Sequence, residues 1–173
     1  MNFQCETVYQ QKALTAMARA LRKTIRKKNN IRSRVFGIII VVLAIMLVTP
    51  SEGEVFVFDI RVGITLLAAL AVIVVFFIED WLNGYIARKR ILPGTEKSLT
   101  VFEEDGYHST SDFGKSEWTY DKILMLAETK EYLVFIFNIC HAQVYEKANV
   151  EGGSLEEFKT FLSEKTDKKI QKV

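Results

Sequence analysis

Two continuous apolar runs, residues 35–48 and 62–78, stand out in a chain whose other segments alternate apolar and polar positions at shorter periods. The second run holds no ionisable residue. Its seventeen residues rise ~26 Å as a helix, against a hydrocarbon core of ~30 Å. Adding residues 79–82 completes a span and sets Trp81 and Tyr85 at an interfacial aromatic belt. Twelve of the seventeen are Leu, Ile, Val or Phe, which favours insertion by about 4–7 kcal/mol. The first run reaches eighteen residues when extended back to Ile31, with Arg32 and Arg34 able to snorkel toward headgroups, and Pro50 closes it. The pattern predicts a hairpin of two transmembrane helices, approximately 31–48 and 62–82, within a membrane segment 35–82. A cleaved signal peptide is not expected, because more than thirty residues precede the first run and no small-residue cleavage pattern follows it.

The segments around the hairpin have other periods. Residues 7–28 contain no Gly or Pro, and Leu14, Met17 or Ala18, Leu21 and Ile25 fall on one helical face. Ahead of them, Phe3, Cys5 and Thr7 alternate with Gln4 and Glu6, as in a strand. Such a strand needs a sheet, and the only candidate lies beyond the hairpin. The soluble domain is then discontinuous, with the hairpin inserted after its first strand. After Leu92-Pro93-Gly94, strand patterns occur at residues 98–102, 107–111, 115–119, 124–128, 132–138 and 141–146, separated by turn chemistry. Residues 133–137 are continuously apolar, as in a strand buried on both faces or covered by a helix. Gly152-Gly153 precedes a C-terminal helix with Ser154 as N-cap, Glu157 completing a capping box, and Leu155, Phe158, Phe161 and Leu162 on one face. Lys165, Lys168, Lys169 and Lys172 are expected to complement its C-terminal dipole. The fold class predicted is a membrane α-helical hairpin plus an α+β cytoplasmic domain at residues 97–173, a small curved sheet or half-barrel closed by the C-terminal helix. Residues 1–34 supply the strand and the basic amphipathic helix.

Charge orients the hairpin. Eight Lys and Arg residues lie between Arg19 and Arg34, four follow the second span between Arg88 and Lys97, and the connecting loop 49–61 offers only Arg61. The positive-inside rule puts both termini in the cytoplasm and the loop outside, in a multi-pass protein of the inner (cytoplasmic) membrane. The loop carries Glu52, Glu54 and Asp59, and Phe56 and Phe58 suit its outer interface. Residues 1–34 have net charge +8 and residues 97–173 net −4. The basic arm either lies in the interface, drawing anionic lipid at about 1 kcal/mol per cation, or packs its apolar stripe on the C-terminal domain. Candidate membrane-surface contacts are Arg19, Arg22, Lys23, Arg26, Lys27, Lys28, Arg88, Lys89 and Arg90. Gly37, Ala44, Gly63, Ala68, Ala69 and Ala71 are small enough for close helix approach.

Three short stretches carry a family resemblance: Val101-Phe102-Glu103-Glu104-Asp105-Gly106, Glu117-Trp118-Thr119-Tyr120-Asp121-Lys122-Ile123 and Ala127-Glu128-Thr129-Lys130-Glu131-Tyr132-Leu133. Over residues 97–165 the chain resembles the YcxB-like family of bacterial membrane proteins. The resemblance implies a two-span hairpin followed by a domain similar in layout to pleckstrin-homology (PH) folds. It implies no activity, ligand or catalytic residue. Trp118 is expected to bury its ring while its N–H finds a carbonyl, and residues 120–123 to form a turn that tucks Ile123 inward.

No catalytic, cofactor or metal site is predicted. His108 and His141 are far apart and lack metal-ligand spacing with Cys or carboxylates. Cys5 and Cys140 form no C-x-x-C motif, and adjacent Cys140 and His141 on a strand would face opposite ways. Glu103-Glu104-Asp105 occupies a turn without the spaced oxygens of an EF-hand. The apolar runs lack the ionisable groups that transport pathways use. The function expected is non-enzymatic: a module that binds a protein, peptide or lipid headgroup at the bilayer, with a structural subunit of a larger membrane complex as the alternative and an interfacial enzyme a remote third. Nucleic acid is not an expected partner.

Overall fold

The computed structural model describes residues 2–50, 53 and 55–173, so Glu52 and Glu54 lie outside the described residues. It divides into two units, Lys27–Glu79 and Met1–Arg26 with Asp80–Val173.

The first unit is the hairpin. Its helices are α2 (Lys27–Val48) and the greater part of α3 (Ile60–Lys89). By length and composition, both are long and apolar enough to cross a membrane. Apolar side chains point outward along most of their length, and Phe77 is 84% exposed. Gly37 and Ala69 are buried, as expected for close approach, whereas Ala68 and Ala71 are exposed. A Cβ on Gly37 would collide with the ring of Phe76. Arg34 reaches back along the hairpin, its Nη2 donating to the Phe76 carbonyl at 3.4 Å.

The second unit assembles segments from both sides of the hairpin. The alternation at the start of the chain forms β1 (Phe3–Val8), with Phe3, Cys5 and Thr7 buried. The strands β2 (Lys97–Phe102), β3 (Tyr107–Ser111) and β4 (Gly114–Trp118) follow the hairpin. Together with β8 (Val150–Glu151), they form one antiparallel sheet in the order β4-β3-β2-β1-β8. β1 is therefore an inner strand, Phe3 facing Phe102 and Val8 facing Lys97. A second sheet has the order β7-β6-β5-β9, from β5 (Met125–Glu128), β6 (Tyr132–Ile136), β7 (Ala142–Glu146) and β9 (Ile170–Lys172). The helix α4 (Leu155–Thr166) carries the expected capping box: Glu157 N–H donates to Ser154 Oγ, and the Ser154 N–H donates back to Glu157 Oε2 at 2.7 Å.

The inner residues of both sheets share one core with α4. Phe3, Phe102, Phe135, Tyr145 and Phe158 are fully buried there, and the Phe102 ring meets Phe135, Tyr145 and Phe158 edge-on. The apolar run in β6 is explained by its two faces. Leu133 and Phe135 enter this core, while Tyr132, Val134 and Ile136 lie beneath α1 (Gln11–Lys23). Of the two fates open to the basic arm's apolar stripe, packing on the domain is the one found. Ala13, Ala20 and Leu21 are buried against the second sheet. A stripe this short gains more from a preformed apolar sheet face than from leaving that face wet.

Three local expectations are corrected. Of the four lysines expected to complement the dipole of α4, only Lys165 lies in its last turn: the helix ends at Thr166, Asp167 turns the chain at φ 52°, and Lys172 belongs to β9, which pairs parallel with β5. Trp118 is only partly buried, and its N–H donates to Ser116 Oγ at 3.2 Å rather than to a carbonyl, because the ring leans on Phe137 and His141 near the edge of the core. Cys140 and His141 do not sit on a strand. Both backbone N–H groups donate to Asn138 Oδ1 at 2.8 Å, which closes a turn before β7. The turn at Tyr120–Lys122 does bury Ile123, as expected.

Candidate functional site: a basic groove beside the end of the second apolar helix

The end of α3 is the least apolar part of that helix and the part that packs in the folded unit. Gly84 permits the approach: a Cβ there would stand 2.7 Å from the Thr15 backbone nitrogen and 2.9 Å from its Cα. One turn earlier, Asp80 is buried and meets α1 electrostatically. Arg22 Nε donates to Asp80 Oδ1 and Arg22 Nη2 to Asp80 Oδ2, each at 2.6 Å, while Arg19 Nε reaches Oδ2 at 3.5 Å. Side-chain exposures of 16% for Arg22 and 11% for Asp80 mark this as a largely dehydrated, bidentate pair. Residues 79–82 were expected to complete the apolar span, yet they include the carboxylate that ties α3 to α1.

Beside this pair lies a groove of about 410 Å³. One wall is the first two turns of α1, with Gln11, Lys12, Thr15 and Ala16, and Arg19 lies further along the same helix. Trp81 lines it from α3, and the turn between β5 and β6 lines it with Lys130 and Glu131. That turn is held by Thr129, whose N–H donates to the Tyr132 carbonyl at 2.9 Å and whose hydroxyl accepts from the Tyr132 N–H at 3.1 Å. Lys130 is thereby exposed at its tip. Lys12 Nζ meets Glu131 at 2.5 Å, which raises the lysine above its usual pKa and lowers the carboxyl below its own. Both side chains are substantially exposed, so this pair contributes little and is free to exchange partners. Three cations against one carboxylate leave the lining net positive. Two buried polar atoms on the α1 wall, Gln11 Nε2 and Thr15 Oγ1, have no hydrogen-bond partner among the described residues. Leaving such a group unmet costs about 1–3 kcal/mol. At the mouth, Trp81 is 52% exposed and stacks on Tyr85 with ring centroids 5.6 Å apart, and Lys89 Nζ sits 4.7 Å above the Tyr85 ring.

The candidate surface cations divide by role. Arg19 and Arg22 converge on Asp80, and Arg19 also lines the groove. Arg26 Nε donates to the Ile139 carbonyl at 2.7 Å. Lys23, Lys27, Lys28, Arg88, Lys89 and Arg90 are exposed. In the sequence Lys12 reads only as one of the basic residues on the polar surface of the arm, and Lys130 and Asp80 are not singled out. For Asp80 a signal existed: Glu79 and Asp80 are acidic, follow an apolar run and have no Lys or Arg within four residues on either side, so any cationic partner has to come from another segment.

Other chemistry is sparse. Among the described residues, no three His, Cys, Asp or Glu side chains are placed to share a metal ion. Cys5 is a core residue, and burial pushes its thiol up to about 11, far from the range of a reactive thiolate. Burial likewise raises Tyr107, Tyr120 and Tyr145. Tyr107 and Tyr145 both donate to Gln143 Oε1, at 2.9 and 2.8 Å, a closed internal network.

A scan against protein-family models and searches of curated proteins and of solved structures found no match for this chain.

Proposed function

We propose that this chain is a non-enzymatic integral membrane protein that holds a ligand-binding module of PH-like layout against the cytoplasmic face of the bilayer, with both termini cytoplasmic and the loop 49–61 outside. One observation carries the reading. β1, made before the hairpin, is hydrogen-bonded between β2 and β8, made after it. A sheet of that order requires both ends of the hairpin to emerge on the same side, which an even number of spans provides. The excess of Lys and Arg at those ends selects the cytoplasmic side. The two sheets closed by α4 support the PH-like layout, as do the stretches that resemble the YcxB-like family.

The test uses the native thiols. Cys140 is exposed and Cys5 is buried. In spheroplasts, a membrane-impermeant maleimide is expected to leave Cys140 unlabelled until the membrane is opened, and to label Gly53→Cys immediately in a Cys140→Ser background. Labelling of Cys140 in intact spheroplasts would overturn the orientation. Recovery of the chain in the soluble fraction would overturn the membrane placement.

A further inference from the structure

We infer that the groove between α1, the end of α3 and the β5–β6 turn is a binding site for the phosphate of an anionic phospholipid headgroup. The inference rests on the membrane placement proposed above, and it names the ligand of the module. Lys12 and Lys130 approach from two different elements, with Arg19 behind them on α1, so the lining presents a convergent positive field rather than a scattered one. On the same wall, Gln11 Nε2 is a donor without an acceptor among the described residues, and phosphate oxygens accept from such a group; the Thr15 hydroxyl instead packs against Gly84. Glu131 is the sole carboxylate in the lining among the described residues, and it pairs with Lys12. A phosphate would displace it, exchanging one exposed charge pair for another that also engages Lys130.

Trp81 assigns the source of the phosphate. It follows Ile78, the last residue of the apolar run, by three positions in the same helix, a rise of about 4.5 Å. An exposed Trp stacked on Tyr85 at that place is the side-chain chemistry of the headgroup region, polar on one edge and apolar on the other. A free phosphate in the cytoplasm has no use for that ring, whereas a phospholipid brings its glycerol and first methylenes against it.

The experiment uses the full chain in a neutral detergent with Trp118→Phe, which leaves Trp81 as the only tryptophan. Short-chain phosphatidylglycerol is titrated while Trp81 emission is followed, with short-chain phosphatidylcholine, inorganic phosphate and polyglutamate run in parallel. A saturable change with phosphatidylglycerol is expected, and none with phosphatidylcholine. Lys12→Gln with Lys130→Gln should weaken phosphatidylglycerol binding at least about tenfold. Glu131→Gln, which frees Lys12, should tighten it a few-fold. Equal responses to the two lipids, or unchanged affinity in the double variant with near-UV circular dichroism intact, would overturn the inference. Inorganic phosphate saturating at the same concentrations as phosphatidylglycerol would reassign the groove to a soluble anion, and polyglutamate doing so would reassign it to an acidic peptide. Both results would reject the lipid. Any of these failures, with the variant still in the membrane fraction, leaves the proposed anchoring intact.

Discussion

Phe102 and Phe77 are the same side chain in opposite solvents. Phe102 is fully buried, with four other aromatic rings packed around it. Phe77 lies on a helix whose apolar stretch is only 6% buried within the protein. The folded unit carries its own core, whereas the apolar stretches of the hairpin are left almost wholly exposed by the described residues. Apolar content alone does not separate the two regions. What separates them is whether polar positions recur at a period that leaves one face wet, as in β1 and α1, or are missing for a whole span, as in residues 62–78.

That comparison is most directly broken by paired truncations. Phe102→Ala should destabilise the folded unit by about 3–5 kcal/mol, seen as a lower melting temperature by near-UV circular dichroism in detergent. Phe77→Ala should leave the same transition where it is. A large shift from Phe77→Ala would mean that the hairpin's outer surface is structural for the domain. A smaller effect is expected where α3 meets α1. Asp80→Asn removes the negative charge and one of the two acceptor oxygens of the bidentate Arg22 pair, and should cost about 1.5–3 kcal/mol.

Glu128 offers the smallest and most pH-specific test. Burial pushes its carboxyl up, but Lys159 at 2.8 Å and Lys147 at 2.9 Å outweigh this and hold it below the usual 4.5. A lowered carboxylate contributes stability that is complete above its ordinary pKa and is lost as pH falls through the folded value. Glu128→Gln should therefore cost about 1 kcal/mol at neutral pH, and the two proteins should converge in stability on acidification below 4.5. A constant difference down to strong acid would show that Glu128 acts through packing rather than charge.

Much of the fold was legible because the patterns are local. The alternation of Phe3, Cys5 and Thr7, the Ser154–Glu157 box, the turn at Glu103-Glu104-Asp105-Gly106 and the apolar runs each declare themselves within a few residues. The parts that were missed depend on distant partners. β8 is two residues long, and β9 is three residues among lysines, held by parallel pairing to β5 and by packing of Ile170 on the core. The Asp80–Arg22 pair joins residues on opposite sides of the hairpin. The groove was the least legible feature. Lys12, Lys130 and Trp81 come from three separate segments, and no spacing rule links them.

On the topology proposed above, the inner position of β1 makes the sheet a check on membrane insertion. Phe3 cannot meet Phe102 until about a hundred further residues have been synthesised and both helices have been placed. If a single helix were to insert, β1 and β2 would finish on opposite sides of the bilayer. The sheet would then lack an inner strand, and Phe158 and Phe161 would lose the Phe3 ring that packs on them. A wrongly threaded chain would thus expose its core, so a topological error would be read out as a folding error.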